Sequence, residues 1–153
     1  NLGFRYVDLK ELYKTSDIIT LHVPYNKETH HMINKESFGL MKRGVILLNT
    51  ARGAIIDTDS LVQALDSGIV SYTGLDVLEG EKDILEEKQL LSKNFDQEQM
   101  KKMLENHILL ERENVLITPH NAFNSAEALQ RILDTTIENT NNFYSGKIQN
   151  EVG

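Results

Sequence analysis

The sequence predicts an α/β fold, a parallel sheet covered by helices. Short runs of apolar and β-branched residues alternate with stretches in which apolar residues recur at helical spacing. The short runs are apolar at nearly every position, which is typical of strands that are buried on both faces. These two observations together indicate a parallel sheet, because the crossovers between parallel strands place helices on the sheet.

Four strands follow from the short runs, the third of them less apolar than the others. They are predicted at 18–21, 45–48, 72–75 and 115–117. The longest unbroken apolar run, 45–48, is far shorter than the roughly 20 residues that span a bilayer. We therefore expect a soluble domain without a membrane partner.

Three helices are predicted between the strands or before them, with residues that favour helix ends at their boundaries. They cover 9–14, 35–42 and the residues after Asp57. Asn34 and Asp57 are suitable N-caps, and Gly44 and Gly68 are suitable C-terminal stops.

Two further helical stretches lie in the second half of the chain. A charged stretch at 82–113 is interpreted as a solvated surface element. From Ser125 onward, apolar residues at helical spacing predict a long amphipathic helix. Its polar face is not rich in Lys or Arg, so we expect it in the core or at a domain interface rather than on a membrane.

Composition excludes several classes of partner. The 153 residues, 40% of them apolar, suffice for one ordinary core. With 16 basic and 23 acidic residues, a net charge of −7 and no basic run, the chain lacks the footprint of a nucleic-acid binder. It has no cysteine, which excludes disulfides and thiolate metal sites and fits a reducing cytoplasm.

Polar residues follow each predicted strand at its carboxyl end. They are His22, Asn49 to Arg52, Asp76 with Glu79 and Glu81, and His120. Ligands of open parallel sheets bind beyond the carboxyl ends of the strands, where the loops leave the sheet. An arginine that can grip an anion, a carboxylate and a histidine at one edge predict an acid/base site with an anion clamp.

Four motifs at these strand ends resemble the second half of the nucleotide-binding domain of D-isomer-specific 2-hydroxyacid dehydrogenases. They are TLHVP at 20–24, NTARG at 49–53, GLDVLEGE at 74–81 and TPH at 118–120. The resemblance covers nearly the whole chain and implies a Rossmann-like domain. Lys82 stands where other branches have proline, so the sequence is more similar to the D-lactate and D-2-hydroxyisocaproate branch.

The resemblance implies a role for each matching residue. It assigns Arg52 to the substrate carboxylate and carbonyl, His120 to acid/base chemistry and Glu81 to holding His120. It assigns Asp76 to the nicotinamide carboxamide of NAD. The dinucleotide is implied to be lined by Val23, Pro24, Thr29, Thr50, Ala51 and Arg52. The implied reaction is the NADH-dependent reduction of a 2-keto acid to a D-2-hydroxy acid, in a cytoplasmic homodimer.

One family feature is absent from the sequence. None of the nine glycines forms G-x-G-x-x-G, the turn that cradles the dinucleotide phosphates. The chain also begins with Asn1. We therefore expect 1–153 to be a partial NAD-binding domain without its glycine-rich first unit and without a substrate domain. By itself it should be inactive and bind NADH weakly, and it should self-associate through a sheet edge at 18–21 or 45–48 and through the helix from Ser125.

Each assignment has a structural alternative. Arg52 could satisfy helix carbonyls or pair with Asp57, and His120 could be a structural histidine. Glu79 and Glu81 could both be solvated loop charges, Glu79 more readily than Glu81. A metal site at His22, His30 and His31 is not expected, because no carboxylate lies at ligand spacing. A non-catalytic relative that senses nucleotides or binds proteins remains the alternative function.

Overall fold

A computed structural model describes residues 3–80 and 97–151. Its four strands form one parallel sheet in the order β1-β2-β3-β4. The strands are β1 (Ile18–Leu21), β2 (Val45–Asn49), β3 (Val70–Leu75) and β4 (Val115–Ile117). The predicted α/β fold is confirmed, and β3 begins two residues earlier than the sequence predicted.

The described residues form five α-helices. They are α1 (Leu9–Thr15), α2 (Lys35–Leu40), α3 (Thr58–Asp66), α4 (Gln97–Leu110) and α5 (Ala126–Tyr144). The side chains of Asn34, Asp57 and Ser125 accept backbone N–H bonds at the starts of α2, α3 and α5, as their N-cap assignment predicts. A short 3-10 helix at Gly53–Ile55, which the sequence did not predict, follows β2.

The chain divides into two compact units, residues 1–120 and 121–153. In the first unit, Ile19 of β1, Leu47 of β2, Leu61 of α3 and Leu109 of α4 belong to one buried cluster. The interpretation of 82–113 as a solvated surface element is wrong for α4, because Leu109 and Asn106 are buried. The residues from 81 to 96 lie outside the described part of the chain.

The two faces of the sheet differ in exposure. Ile19 and Leu47 point into the core, whereas Ile18 of β1 is 59% exposed and Leu116 of β4 is 68% exposed. Tyr72 of β3, which shares the second face through its pairing with Ile46, is also exposed. Within the described residues of 1–120, the helices therefore bury one face of the sheet and leave the apolar second face accessible.

Strand order corrects the expectation about the sheet edge. Because β2 is paired with both β1 and β3, residues 45–48 are internal. Of the two expected edges only β1 lies at the border of the described sheet.

The helix α5 belongs to the second unit and contains no buried residue. Its apolar positions Leu129, Ile132, Leu133 and Ile137 are all exposed. A core location for this helix is therefore wrong. Among residues 3–80 and 97–151, no helix combines the length and apolar content that crossing a membrane requires.

Candidate active site

The four strands end in one row. The sheet register pairs Leu21 with Asn49, Asn49 with Leu75 and Leu75 with Ile117, and each of these is the last residue of its strand. The loops that follow all leave the sheet at the same edge. This register is the reason why residues far apart in the sequence share one site.

The loop after β2 is shaped by Asn49. Its buried amide accepts a hydrogen bond from the backbone N–H of Ala51 (3.0 Å) and donates one to the carbonyl oxygen of Arg52 (2.9 Å). These two bonds close a tight turn at the end of the strand. Thr50 and Arg52 are exposed on this turn, where the guanidinium can meet a ligand.

Arg52 does not pair with Asp57, which was one of the two structural alternatives for this arginine. The carboxylate of Asp57 instead accepts from the backbone N–H of Ser60 and caps α3. The guanidinium of Arg52 donates to the carbonyl oxygen of Ala51 within its own turn, at 2.6 Å from Nη1. The charged guanidinium of Arg52 thus lies exposed on the turn that follows β2.

Backbone hydrogen bonds join the ends of β2, β3 and β4. The N–H of Asp76 donates to the carbonyl oxygen of Asn49, and the N–H of His120 donates to the carbonyl oxygen of Asp76, both at 2.9 Å. The hydroxyl of Thr118 donates to the buried carboxylate of Asp76 at 2.5 Å. Asp76 and His120 are thereby fixed beside the turn that carries Arg52.

His120 has a left-handed backbone conformation, with a φ of 51°. This region is costly for a residue with a β-carbon, and such residues concentrate at functional sites. The side chain is exposed at the rim. The position is therefore better suited to a reacting group than to a structural histidine in the core.

The loop after β1 is closed on itself. The hydroxyl of Thr29 donates to the carbonyl oxygen of Pro24 at 2.8 Å and accepts from the backbone N–H of Asn26 at 2.8 Å. Val23 packs against the core cluster. The structure thus brings together Val23, Pro24 and Thr29 in one loop, at the same edge as the turn of Thr50, Ala51 and Arg52.

Glu79 is not a solvated loop charge, and that interpretation is wrong. Its side chain is 5% exposed, and Oε1 accepts from Nε2 of His31 and from Nζ of Lys102, each at 2.8 Å. Oε2 accepts from the hydroxyl of Thr58 at 2.9 Å. Burial raises the pKa of Glu79, but the hydrogen bonds from Lys102, His31 and Thr58 outweigh it and place the pKa below its usual value.

Sequence reasoning missed this cluster because its partners are remote in the chain. Lys102 lies 23 residues from Glu79 and His31 lies 48 residues away. No spacing pattern within one element signals such a contact. Glu81 and Lys82 lie outside the described residues, so the prediction that Glu81 is the partner of His120 stays a prediction.

Carboxylates lie close to His31, although the sequence shows none at ligand spacing from it. Ligand atoms of His31, Asp57 and Glu79 lie within 4.8 Å of one another, so carboxylates do approach a histidine in space. The same oxygen of Glu79 already accepts from the ammonium of Lys102, which supplies a positive charge at that point. His30 stacks on His31 with ring centroids 3.9 Å apart.

Comparison with known proteins identifies the family. Residues 1–122 match the sequence model of the family described as D-isomer specific 2-hydroxyacid dehydrogenase, NAD binding domain. The chain belongs to this family. The predicted resemblance is thereby confirmed, including its D-lactate and D-2-hydroxyisocaproate branch.

Individual members of the family agree with this assignment. D-lactate dehydrogenase of Escherichia coli is 39% identical over 146 residues, which are 95% of this chain and 42% of that protein. The Aquifex aeolicus D-lactate dehydrogenase solved with NAD and lactic acid is 45% identical, covers 94% of this chain and has a TM-score of 0.77, with 41% of its own length matched. A D-2-hydroxyisocaproate dehydrogenase structure gives 32% identity, 95% and 42% coverage and a TM-score of 0.80. The chain thus spans about four tenths of these relatives.

The described residues fit the NAD of this dehydrogenase family at its nicotinamide end. A carboxylate acceptor, Asp76, is buried at the strand edge and oriented by the hydroxyl of Thr118, which suits it to receive a carboxamide N–H. No G-x-G-x-x-G cradle for the pyrophosphate occurs in the 153 residues. Asp76 is therefore a candidate acceptor for the nicotinamide carboxamide.

Proposed function

We propose that the whole protein reduces 2-keto acids to D-2-hydroxy acids with NADH, as a D-lactate dehydrogenase-like enzyme. The observation that carries this proposal is the row of backbone hydrogen bonds from Asn49 through Asp76 to His120, beside the exposed Arg52. That row gives an acid/base group and an anion clamp one rigid support. Family membership supplies the reaction class.

Arg52 binds the carboxylate of the keto acid. Its planar guanidinium presents a fork of donors that matches a carboxylate, and its charge does not vary with pH. The same group stabilises the negative charge that develops on the carbonyl oxygen during reduction. Because the turn of Asn49 fixes its backbone, Arg52 orients the substrate at low entropic cost.

His120 donates a proton to the carbonyl oxygen during reduction and accepts it back in the reverse reaction. Imidazole is the side chain whose charge changes near neutral pH, which suits this task. Glu81 stabilises the imidazolium and orients the ring. NADH, when bound, supplies the hydride to the carbonyl carbon.

Asp76 accepts a hydrogen bond from the nicotinamide carboxamide and so fixes which face of the ring meets the substrate. Residues in the loops after β1 and β2 would hold the rest of the nucleotide. They are Val23, Pro24, Thr29, Thr50, Ala51 and Arg52.

We place the enzyme in the cytoplasm, where NADH is available, as a homodimer that binds neither membrane nor nucleic acid. The net charge of −7 supports the last point, because polyanions are repelled. Cell fractionation and light scattering of the whole protein test both statements.

The decisive experiment is the oxidation of NADH by the whole protein with pyruvate, phenylpyruvate and 2-ketoisocaproate. Turnover with at least one of them, and D-specific oxidation in reverse, is the expected result. No NADH oxidation with any 2-keto acid contradicts the proposal. The separate chain of 153 residues should show no turnover, since its sequence contains no G-x-G-x-x-G turn and spans about four tenths of its relatives.

A further inference from the structure

The loops after β2 and β3 touch backbone to backbone beside Arg52. A β-carbon on Gly53 would lie 2.1 Å from the carbonyl carbon of Leu78 and 2.4 Å from the backbone nitrogen of Glu79. Only glycine allows this approach. The peptide between Leu78 and Glu79 therefore contacts Gly53, which directly follows Arg52 in the chain.

The carboxylate of Glu79 holds this peptide in place through three other elements. Its partners are His31 in the loop before α2, Thr58 at the start of α3 and Lys102 on α4. The amide of Asn106, also on α4, donates to the carbonyl oxygen of Glu79 at 2.9 Å. Both the side chain and the backbone of Glu79 are thus fixed.

The same cluster also reaches the loop after β2 from the other side. The backbone N–H of His31 donates to the carbonyl oxygen of Ala54 at 2.9 Å, and its φ of 49° shows that this placement overrides an ordinary backbone preference. His31 therefore connects Glu79 with the 3-10 helix that begins at Gly53.

A buried carboxylate is stable only when its hydrogen bonds are complete. Burial removes the hydration of the Glu79 carboxylate, which costs free energy. Hydrogen bonds from one ammonium, one imidazole and one hydroxyl compensate this cost. Removing its charge weakens all three contacts together, because they share one acceptor group. The position of the peptide at 78–79 depends on that single side chain.

We propose that Glu79 is a positioning residue that holds the loop after β3 against Gly53 and so fixes the turn that carries Arg52. At 5% exposure its carboxylate does not touch substrate, and it acts through the backbone on either side. The inference rests on the proposed function, in which Arg52 and Glu81 serve the reacting 2-keto acid.

The test uses Glu79→Gln in the whole protein, which keeps the shape of the side chain and removes its charge. We expect kcat for the 2-keto acid to fall about 10²-fold, the loss typical of a 1 Å misplacement. The dissociation constant for NADH should change less than about twofold, since the pyrophosphate is bound outside this region. Lys102→Arg, which keeps the cation, should retain most of the turnover that Lys102→Gln loses.

Two control variants separate positioning from general stability and from charge. Leu65→Ala opens a cavity in the buried side of α3 and destabilises the fold without touching the Glu79 contacts. Glu98→Gln removes an exposed carboxylate that lies 3.8 Å from the same Lys102. Both should keep kcat within about threefold of the wild type at a temperature where all variants are folded.

Hydrogen exchange provides a readout that does not need turnover. In Glu79→Gln, the backbone amides of 53–56 should exchange at least about tenfold faster than in the wild type. In Leu65→Ala, exchange in this segment should not be accelerated more than in the rest of the chain. Wild-type kcat together with unchanged exchange in Glu79→Gln overturns the inference. If the wild type reduces no 2-keto acid, the proposed function fails, and the exchange result still decides whether Glu79 fixes these loops.

Discussion

The backbone N–H of His120 donates to the carbonyl oxygen of Asp76 at 2.9 Å, so the residue after β4 is held by the residue after β3. The proposed proton donor and the proposed carboxamide acceptor therefore form one unit. The backbone of His120 is left-handed, with a φ of 51°. Substitutions at the site must respect that conformation if they are to report on chemistry.

His120→Asn is expected to lower kcat by about 10² to 10⁴-fold in the whole protein, the range for loss of a general acid. Asparagine tolerates positive φ, so the backbone should persist and NADH affinity should stay near that of the wild type. His107→Asn, on the exposed side of α4, is the matched control and should leave turnover unchanged. A steady-state rate close to wild type for His120→Asn contradicts the proton-donor role.

Arg52→Lys is expected to raise KM for the 2-keto acid and to lower kcat, because an ammonium cannot reproduce the planar fork. A combined loss of about 10² to 10³-fold in kcat/KM corresponds to one charge-assisted donor set aimed at the oxyanion. Arg43→Lys serves as the control, since Arg43 is exposed and donates to the carbonyl oxygen of Ser67. Identical kinetics for both variants exclude Arg52 as the clamp.

Gly53→Ala is expected to lower the free energy of unfolding by about 3 kcal/mol, because the new methyl group collides with the peptide of Leu78 and Glu79. Gly39→Ala, in α2, meets nothing within 4 Å and should instead raise it by about 0.5–1 kcal/mol. Urea unfolding of the two variants measures both changes. Equal effects at the two glycines contradict the close approach of the loops.

The contribution of Glu79 to stability should depend on pH. Burial raises the pKa of Glu79, but the hydrogen bonds from Lys102, His31 and Thr58 outweigh this effect, so the folded pKa lies below the unfolded one. The stabilisation is then complete above the unfolded pKa and is lost as the pH falls through the folded pKa. At pH 7 we expect Glu79→Gln to cost about 2 kcal/mol, the usual loss for a hydrogen bond to a charged group.

A series of urea unfolding curves from pH 3 to 8 tests this sign. The difference in the free energy of unfolding between wild type and Glu79→Gln should be constant from about pH 5 to about pH 8 and should shrink below the usual titration range of a glutamate. In alkali the difference should also shrink, because the hydrogen bond to Glu79 raises the pKa of Lys102 above its usual value. A difference that grows on acidification contradicts the assignment.

The separate 153-residue chain is expected to self-associate at high concentration. The exposed apolar positions of α5, among them Ile132, Leu133 and Ile137, and the strand border at β1 are surfaces that favour association. Light scattering should show a rising average mass, which Leu133→Glu reduces. The control Glu138→Gln, at another position of the same helix, should not reduce it. A monomer at every concentration contradicts the expectation.

Local features of the sequence determined the elements. The strands at Ile18–Leu21 and Val115–Ile117 and the caps Asn34, Asp57 and Ser125 were predictable, because apolar runs and N-cap bonds involve residues that are near in the chain. The placement of polar residues at one sheet edge was also predictable, because the carboxyl ends of parallel strands lie at the same edge of the sheet.

Only the tertiary structure decided what each charged residue meets there. Glu79 looked like a loop charge in the sequence, and its burial depends on Lys102 and His31, which approach from other elements. The border position of β1 and the exposure of Ile18 and Leu116 likewise follow from strand order and from which face the helices cover. Periodicity specifies which face of an element is apolar, but burial and ionisation are set by neighbours that long-range packing selects.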